Sequence, residues 1–238
     1  MKRLLNTLYV TGKNRYLSLD GENVVIFDKQ EEIGRIPLHN LQGIVTFGYT
    51  GASPALMGVC AERNIELTFM SGNGRFLARV TGEVKGNVIL RKQQYRISEN
   101  PYESIRYARN FITGKVYNSR WILERAIRDY PMRVDTERLK EKSHFLYQSL
   151  ENIRSCEDSS ILLGLEGEAA SVYFSVFDEL ILQQKDSFYF HGRNKRPPLD
   201  RVNAMLSFAY SLLAGMCGSA LEGVGLDPYV GFYHADRP

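Results

Sequence analysis

Residues 82–101, GEVKGNVILRKQQYRISENP, separate two different sequence patterns. Before them, short β-branched and aromatic runs such as LYVTG (8–12) alternate with Gly, Asp and Asn, which is typical of strands and turns. After them, apolar residues recur at helical spacing. The sequence therefore predicts an α+β fold, in which a small β-rich domain (1–85) is joined by a linker (86–98) to an all-helical domain (99–238).

Capping and turn residues refine this prediction. Ser53 as a cap and Pro54 in the first turn predict one helix inside the β-rich domain. Gly72-Asn73-Gly74 predicts the turn of a hairpin. In the helical domain, prolines and capping residues delimit the predicted helices. These are residues 101–130, 136–155, 161–184 and 200–214, followed by a short helix that ends near residue 224.

The composition excludes several classes of protein. The chain has 238 residues with 44% hydrophobic and 24% charged content, which excludes disordered and collagen-like proteins. Its cysteines (Cys60, Cys156 and Cys217) are far apart with no CxxC pair, which favours reduced structural thiols and gives no zinc site. We find no signal peptide and no run of about 18 apolar residues. The sequence therefore predicts a soluble cytoplasmic protein without a membrane span.

The charge is unevenly distributed along the chain. The net charge is +3, from 30 basic and 27 acidic residues. Residues 91–128 contain 9 basic and 3 acidic side chains, whereas residues 129–190 contain 6 and 12. A basic segment beside an acidic one indicates a polyanion-binding surface next to a carboxylate-rich region, although an ordinary solvated helix face has the same pattern.

Glu166 is the first candidate for chemistry. The predicted helix 161–184 is apolar almost all round, as a buried helix is, and Glu166 projects from it between apolar residues. An unpaired buried carboxylate costs several kcal/mol, so Glu166 needs a metal ion, a charged partner or a raised pKa. A buried arginine partner is the structural alternative. Glu168 lies on a more polar stripe, and we expect it to be a surface charge.

The predicted helix 200–214 contains a polar stripe. Its members fall at offsets 0, 3, 7 and 10, which places them on one face of a helix. They are Asp200, Asn203, Ser207 and Tyr210. Such a stripe can line a metal-containing cleft, or it can consist of a helix cap and satisfied core hydrogen bonds. Directly before it, the loop FHGRNKRPPLD contains Arg193, Lys195 and Arg196, whose cations suit phosphate contacts.

His234 belongs to the aromatic loop GLDPYVGFYH (225–234). If the fold brings His234 to Glu166, the pair supplies half of an oxygen-rich site for a divalent metal ion with one imidazole. His144 is predicted to be a surface residue.

These residues resemble those of one family over the whole chain, the CRISPR-associated adaptation integrase, which is the larger of the two proteins universal to CRISPR spacer acquisition. The most diagnostic matches are GLEGEAASVYF (164–174), RPPLDRVNAMLSFAYSLL (196–213) and GLDPYVGFYH (225–234). TGASPALMG and LRKQQYRISEN are similar to the version found in type I-C systems.

The resemblance implies a metal-dependent DNA endonuclease and integrase that uses Mg²⁺ or Mn²⁺. The family's glutamate and histidine ligands fall on Glu166 and His234, which the resemblance makes both catalytic and metal-binding. Asn203 and Tyr210 are expected to support this site without binding the metal. The implied reaction is attack by a DNA 3′-hydroxyl on a phosphodiester of the CRISPR repeat, which inserts a new spacer.

The implied partners are double-stranded and branched DNA, a second copy of the chain bound through the β-rich domain, the smaller adaptation protein and a Cas4-type nuclease. We expect DNA-backbone contacts from a set of basic residues, since such contacts position DNA without reading its sequence. The set is Arg91, Arg109, Lys115, Arg120, Arg193, Lys195 and Arg196.

The sequence departs from the family at its C-terminus. The family continues into a segment whose aspartate completes the metal site, and neither Asp227 nor Asp236 lies at the matching position. We therefore expect a C-terminally incomplete chain. The alternative function is that of a catalytically incomplete DNA-binding scaffold of the adaptation complex.

Overall fold

The computed structural model describes residues 6–83 and 87–234 and shows the predicted α+β fold. In these residues the N-terminal part contains two four-stranded sheets, with strand orders β1-β5-β7-β8 and β4-β3-β2-β6. β1 and β7 both pair in parallel with β5, and β8 pairs antiparallel with β7. The strands are β1 (Thr7–Val10), β2 (Arg15–Asp20), β3 (Asn23–Asp28), β4 (Glu31–Pro37), β5 (Gly43–Phe47), β6 (Gly51–Ala52), β7 (Glu66–Met70) and β8 (Phe76–Val80).

A single apolar core holds the strands together. The helix α1 (Pro54–Glu62) adds Leu56 and Cys60 to it. The Ser53 hydroxyl accepts a hydrogen bond from the Leu56 amide at 3.2 Å, which confirms the predicted cap. The predicted hairpin joining β7 and β8 is also confirmed. The strand side chains in this core that are fully buried are Leu17, Val24, Ile44 and Leu67.

The remaining helices are α2 (Val88–Glu99), α3 (Pro101–Asp129), α4 (Thr136–Ser155), α5 (Ser159–Ser175) and α6 (Arg201–Gly223). The side chains of Asn100, Asp135 and Asp158 accept hydrogen bonds from first-turn amides of α3, α4 and α5, which explains where these helices begin. The predicted helices 101–130 and 136–155 are confirmed. α3, α4 and α5 pack through fully buried side chains, including Leu123, Leu139, Leu146, Ile153 and Leu162.

The predicted linker, residues 86–98, is helical from Val88 onward. Gln94 and Ile97 are its buried residues and lie on one helix face, three positions apart. This helix was not predicted, because one of its two buried residues is polar and basic residues surround them.

The prediction of a buried helix over residues 161–184 was wrong about where the helix ends and about how much of it is buried. α5 ends at Ser175 and is followed by a short 3-10 helix, Phe177–Leu180. The chain turns because the rings of Phe174, Phe177 and Phe190 pack together, with centroids 4.9 to 5.7 Å apart. α5 is also buried on one face only, since Leu163 on its other side is 52% exposed.

The helix predicted at 200–214 and the short one after it are a single helix, α6. The predicted stop after Ala214 was wrong, because α6 continues through Gly215 and Gly218 to Gly223. A Cβ at Gly218 would collide with the guanidinium of Arg79.

The chain forms two compact units, each built from two stretches. One unit combines residues 1–91 with 208–228, and the other combines residues 92–207 with 229–238. The prediction placed everything after residue 98 in the helical domain, whereas the second half of α6 groups with the strands. Phe208 contacts Phe47 on β5, with ring centroids 5.7 Å apart, and Glu222 forms an ion pair with Arg79 on β8.

Among the described residues, α6 is long and apolar enough to cross a membrane by length and composition. The expectation that no stretch meets this criterion was therefore wrong. A single such helix is weak evidence for a membrane.

Candidate active site

Glu166 lies on the inner side of α5. Leu162, one turn earlier, and Ala169, almost one turn later, are buried in the helical core, and Leu165 packs against the same core. The Glu166 side chain is only 18% exposed. The sequence was therefore correct to single out this carboxylate as one that needs a partner, whereas Glu168 is exposed as predicted.

Both carboxylate oxygens of Glu166 are engaged by residues from distant parts of the chain. The Lys115 ammonium on α3 donates to Oε1 and forms an ion pair with it. The Tyr233 hydroxyl donates to Oε2 at 3.2 Å. The partner is thus a lysine and a tyrosine, and not the buried arginine of the structural alternative.

The C-terminal segment is held against the helices by three contacts. The Gln94 side-chain amide on α2 donates to the Val230 carbonyl at 3.0 Å. The rings of Phe232 and Tyr107 on α3 lie 5.1 Å apart. Tyr233 packs against the helical core through its ring. These contacts fix the residue that directly precedes His234.

His234 is exposed, and its ring lies 4.9 Å from that of Tyr233. The hydrogen bond from Tyr233 to Glu166 therefore brings the motif that contains His234 to the motif that contains Glu166, across 67 residues of sequence. The metal site predicted from the sequence requires the side chains of His234 and Glu166 themselves to meet, which remains a prediction.

The Tyr233 hydroxyl is a stable hydrogen-bond donor. Burial, together with the nearby negative charge of Glu166 and the hydrogen bond to it, raises the pKa of Tyr233 well above its ordinary value of 10. The phenol therefore stays protonated at neutral pH, and Glu166 keeps this donor.

The two residues predicted to hold a divalent metal ion carry different donors. Glu166 would supply a carboxylate oxygen, which suits Mg²⁺ or Mn²⁺, and His234 would add an imidazole nitrogen. In residues 6–83 and 87–234, no group of three His, Cys, Asp or Glu side chains could hold a metal ion. Asp236 lies outside the described residues. Water and phosphate oxygens would complete the coordination.

Asn203 organises the loop before α6. Its side-chain oxygen accepts hydrogen bonds from the Arg193 guanidinium at 2.8 Å and from the Asn194 amide at 3.0 Å. Its side-chain nitrogen donates to the Gly192 carbonyl at 2.8 Å and to Asp200 at 2.7 Å. Asn203 is fully buried. The structure therefore favours the second reading of the polar stripe, satisfied hydrogen bonds and a helix cap, for Asn203 and Asp200.

The predicted DNA-contacting cations fall into two groups. Lys195 and Arg196 are exposed and form no ion pair within the described part of the chain. The others already have partners in the protein, which are the Gly225 carbonyl for Arg91, the Arg154 and Cys156 carbonyls for Arg109, Glu166 for Lys115, Glu124 for Arg120 and Asn203 for Arg193. Phosphate contacts from any of them remain predictions.

Tyr210 is half-exposed, and the second half of α6 that contains it belongs to the other compact unit. Its supporting role remains a prediction. The sequence reading missed Tyr233 and the pairing of Lys115 with Glu166. Tyr233 directly precedes His234 in the quoted motif, which was a usable signal, whereas a contact across 51 residues left none.

The amino-acid sequence is similar to those of known proteins. The profile of the family described as CRISPR associated protein Cas1 matches residues 8–238. The CRISPR-associated endonuclease Cas1 1 of Chlorobaculum tepidum is 48% identical over the whole chain, which spans 69% of that protein's length. A Cas4 exonuclease/Cas1 endonuclease fusion of Geobacter sulfurreducens is 33% identical over 97% of the chain and 41% of the fusion.

Solved structures share the fold. A casposase bound to integration product superposes with a TM-score of 0.76 at 24% identity, covering 98% of this chain and 66% of that one. A Cas6-RT-Cas1–Cas2 complex superposes with a TM-score of 0.72 at 21% identity, covering 100% of this chain and 25% of that one. The matched profile and the close relative together establish that the chain belongs to the Cas1 family of CRISPR-associated proteins.

Proposed function

We propose that this protein is a divalent-metal-dependent DNA endonuclease and integrase of CRISPR adaptation. The observation that carries the proposal is the hydrogen bond from Tyr233 to Glu166, which joins the glutamate and histidine motifs. The Cas1 family membership supports the same activity.

Glu166 and His234 would hold Mg²⁺ or Mn²⁺. When bound, the ion would neutralise charge on the scissile phosphate and lower the barrier to attack. In the proposed transesterification, a DNA 3′-oxygen forms a new bond to phosphorus of the repeat, and the 3′-oxygen of the old phosphodiester leaves. The attacking hydroxyl loses its proton and the leaving oxygen gains one, so the number of phosphodiesters is unchanged.

The chain's own residues orient the carboxylate and bind the DNA backbone. Tyr233 holds one oxygen of Glu166, which fixes the direction of the other. Lys195 and Arg196 extend from a loop that the Asn203 hydrogen bonds hold in place, and we assign them to phosphate contacts. Binding through such contacts weakens as the salt concentration rises.

We propose the same partners that the resemblance implies, in the cytoplasm. A second copy, the smaller adaptation protein and a Cas4-type nuclease would complete the machine. The Cas1–Cas2 complex among the fold neighbours and the Cas4/Cas1 fusion among the relatives support the last two partners.

Strand transfer tests the proposal directly. A labelled branched DNA measures the reverse reaction, in which a 3′-hydroxyl attacks the phosphodiester at the branch, and this substrate needs no knowledge of the repeat. With Mn²⁺ we expect Glu166→Ala and His234→Ala each to lose more than about 100-fold in rate, since even residues that only support a metal ligand contribute 10–100-fold. Glu168→Ala is the matched control, because Glu168 is exposed on the same helix. Full activity in either site variant would contradict the assignment.

The second candidate function, a DNA-binding scaffold without catalysis, is favoured by the lack of a third His, Cys, Asp or Glu near the site in the described residues. It predicts DNA binding that weakens with salt, but no Mn²⁺-dependent product from the branched DNA.

A further inference from the structure

We infer that Lys115 is a resident counter-cation of Glu166 that a divalent metal ion must displace in order to bind. This inference rests on the proposed metal site, and it gives Lys115 a role in the metal-free protein in addition to the DNA-backbone contact predicted from the sequence.

The two contacts of Glu166 are chemically different. Tyr233 is a neutral donor, and a carboxylate oxygen can accept its hydrogen bond and still bind a metal ion with its other lone pair. The Lys115 ammonium carries a full positive charge and lies directly against Oε1. A divalent cation on the same carboxylate would be repelled at this distance in a partly buried site. Metal binding and the lysine contact therefore compete for Glu166.

The Lys115 side chain can move away from Glu166. Its side chain is 48% exposed, whereas that of Glu166 is 18% exposed, so the lysine can swing into solvent while the carboxylate stays in place. Lysine has a flexible four-carbon stem and a well-hydrated ammonium, which keeps the cost of this motion low. Within the described residues, Glu166 is the ion-pair partner of Lys115.

The contact has two consequences for metal binding. First, the metal affinity of the wild-type site is lower than its ligands alone would give, because the ion pair must be broken. Second, a DNA phosphate that attracts the Lys115 ammonium would free Glu166, so that DNA and metal would each increase the affinity for the other by the same factor.

Metal affinity, measured as the dissociation constant of Mn²⁺ by electron paramagnetic resonance, tests the inference independently of activity. We expect Lys115→Met to bind Mn²⁺ about fivefold more tightly, which is the upper end of what an ion pair with an exposed partner contributes. Lys115→Arg retains the cation and should bind as weakly as the wild type.

Lys185→Met is the matched control. Lys185 forms an ion pair with Asp178 at 3.1 Å and is 50% exposed, so the change removes a lysine of the same exposure from a carboxylate other than Glu166. We expect it to leave the Mn²⁺ dissociation constant unchanged. Thermal unfolding of all variants without metal checks that each is folded.

A second measurement concerns coupling. Adding duplex DNA should tighten Mn²⁺ binding in the wild type, and this effect should shrink in Lys115→Met. A purely structural lysine would lower thermal stability without changing either quantity.

The outcomes separate the inference from the proposed function. If Glu166→Gln abolishes Mn²⁺ binding but Lys115→Met binds no more tightly than Lys185→Met, the counter-cation role is wrong and the metal site stands. Weaker binding by Lys115→Met also overturns the inference. If Glu166→Gln binds as well as the wild type, or the wild type does not bind, the proposed metal site fails and the inference fails with it.

Discussion

Glu166 and Asp200 are two carboxylates of the helical unit that are satisfied in opposite ways. Asp200 accepts hydrogen bonds from the backbone and side chain of Asn203, both at 2.7 Å, and from Asn194 at 3.4 Å. All of these donors lie within six residues in the sequence and are neutral. Glu166 is satisfied by a flexible cation and a phenol that are 51 and 67 residues away.

This difference separates a structural carboxylate from an exchangeable one. Around Asp200, the acceptor, the helix terminus and the loop form one short-range unit, so that removing any member leaves buried polar groups unpaired. Around Glu166, one partner can move into water at low cost. A site that exchanges a protein cation for a ligand needs the second kind of environment.

The largest expected effect is on Asn203, which links the loop to α6. Asn203→Ala would remove the hydrogen bonds that its buried side chain makes with the Arg193 guanidinium, the Gly192 carbonyl and one oxygen of Asp200. We expect a loss of about 2–3 kcal/mol in the free energy of unfolding, which urea titration measures. A loss below about 0.5 kcal/mol would show that the loop is held by other contacts.

The sequence predicted the parts of the molecule that depend on local signals. The cap at Ser53, the prolines that delimit the helix 101–130, and the turn near Gly74 are local signals, and the helix and hairpin bounds were accordingly close. α5 was extended too far, because its end depends on the packing of Phe174 against Phe190, which no local pattern reveals.

The candidate site likewise has one part that the sequence predicted and another that it could not. Glu166 was identifiable because a carboxylate between Leu162 and Ala169 conflicts with its own apolar helix face. Its partners could not be derived, since Lys115 and Tyr233 reach it only through the packing of α3 and the C-terminal segment on α5. The pairing of Glu166 with the His234 motif came from the family resemblance and not from spacing.

A smaller effect is expected at Asp200 itself. Asp200→Ala removes the side chain that accepts from the Asn203 amide at the start of α6, and the loss of such a cap costs about 1 kcal/mol. Urea titration measures this change, and Mn²⁺ binding should stay unaltered. A change in the Mn²⁺ dissociation constant as large as that of Glu166→Gln would break the distinction between the two carboxylates.

The pH dependence of stability sharpens the same point. Although burial acts to raise it, the hydrogen bonds from Asn203 and Asn194 hold the pKa of Asp200 below its ordinary value of 3.8. A carboxylate with a lowered folded-state pKa stabilises the protein above its unfolded-state pKa, and this contribution is lost as the pH falls through the folded value. Asp200→Asn can still accept the amide, and unfolding curves between pH 5 and 2.5 should show less loss of stability in this variant than in the wild type. Parallel curves would contradict the role of these hydrogen bonds.

The smallest expected effect is at Tyr233, where Tyr233→Phe removes only the hydroxyl and leaves the ring packed in the helical core. Glu166 would lose one neutral hydrogen bond at 3.2 Å but keep its ion pair with Lys115, so the free energy of unfolding should fall by no more than about 1 kcal/mol. Because Tyr233 orients the carboxylate and does not compete for it, Mn²⁺ binding should become weaker in this variant, in contrast to the tighter binding expected of Lys115→Met. Weaker Mn²⁺ binding by Tyr233→Phe and tighter Mn²⁺ binding by Lys115→Met would show that Tyr233 orients Glu166, whereas Lys115 competes for it. If both variants bound Mn²⁺ more tightly, Tyr233 would be a second competitor. Both contacts of Glu166 would then be exchangeable, unlike those of Asp200.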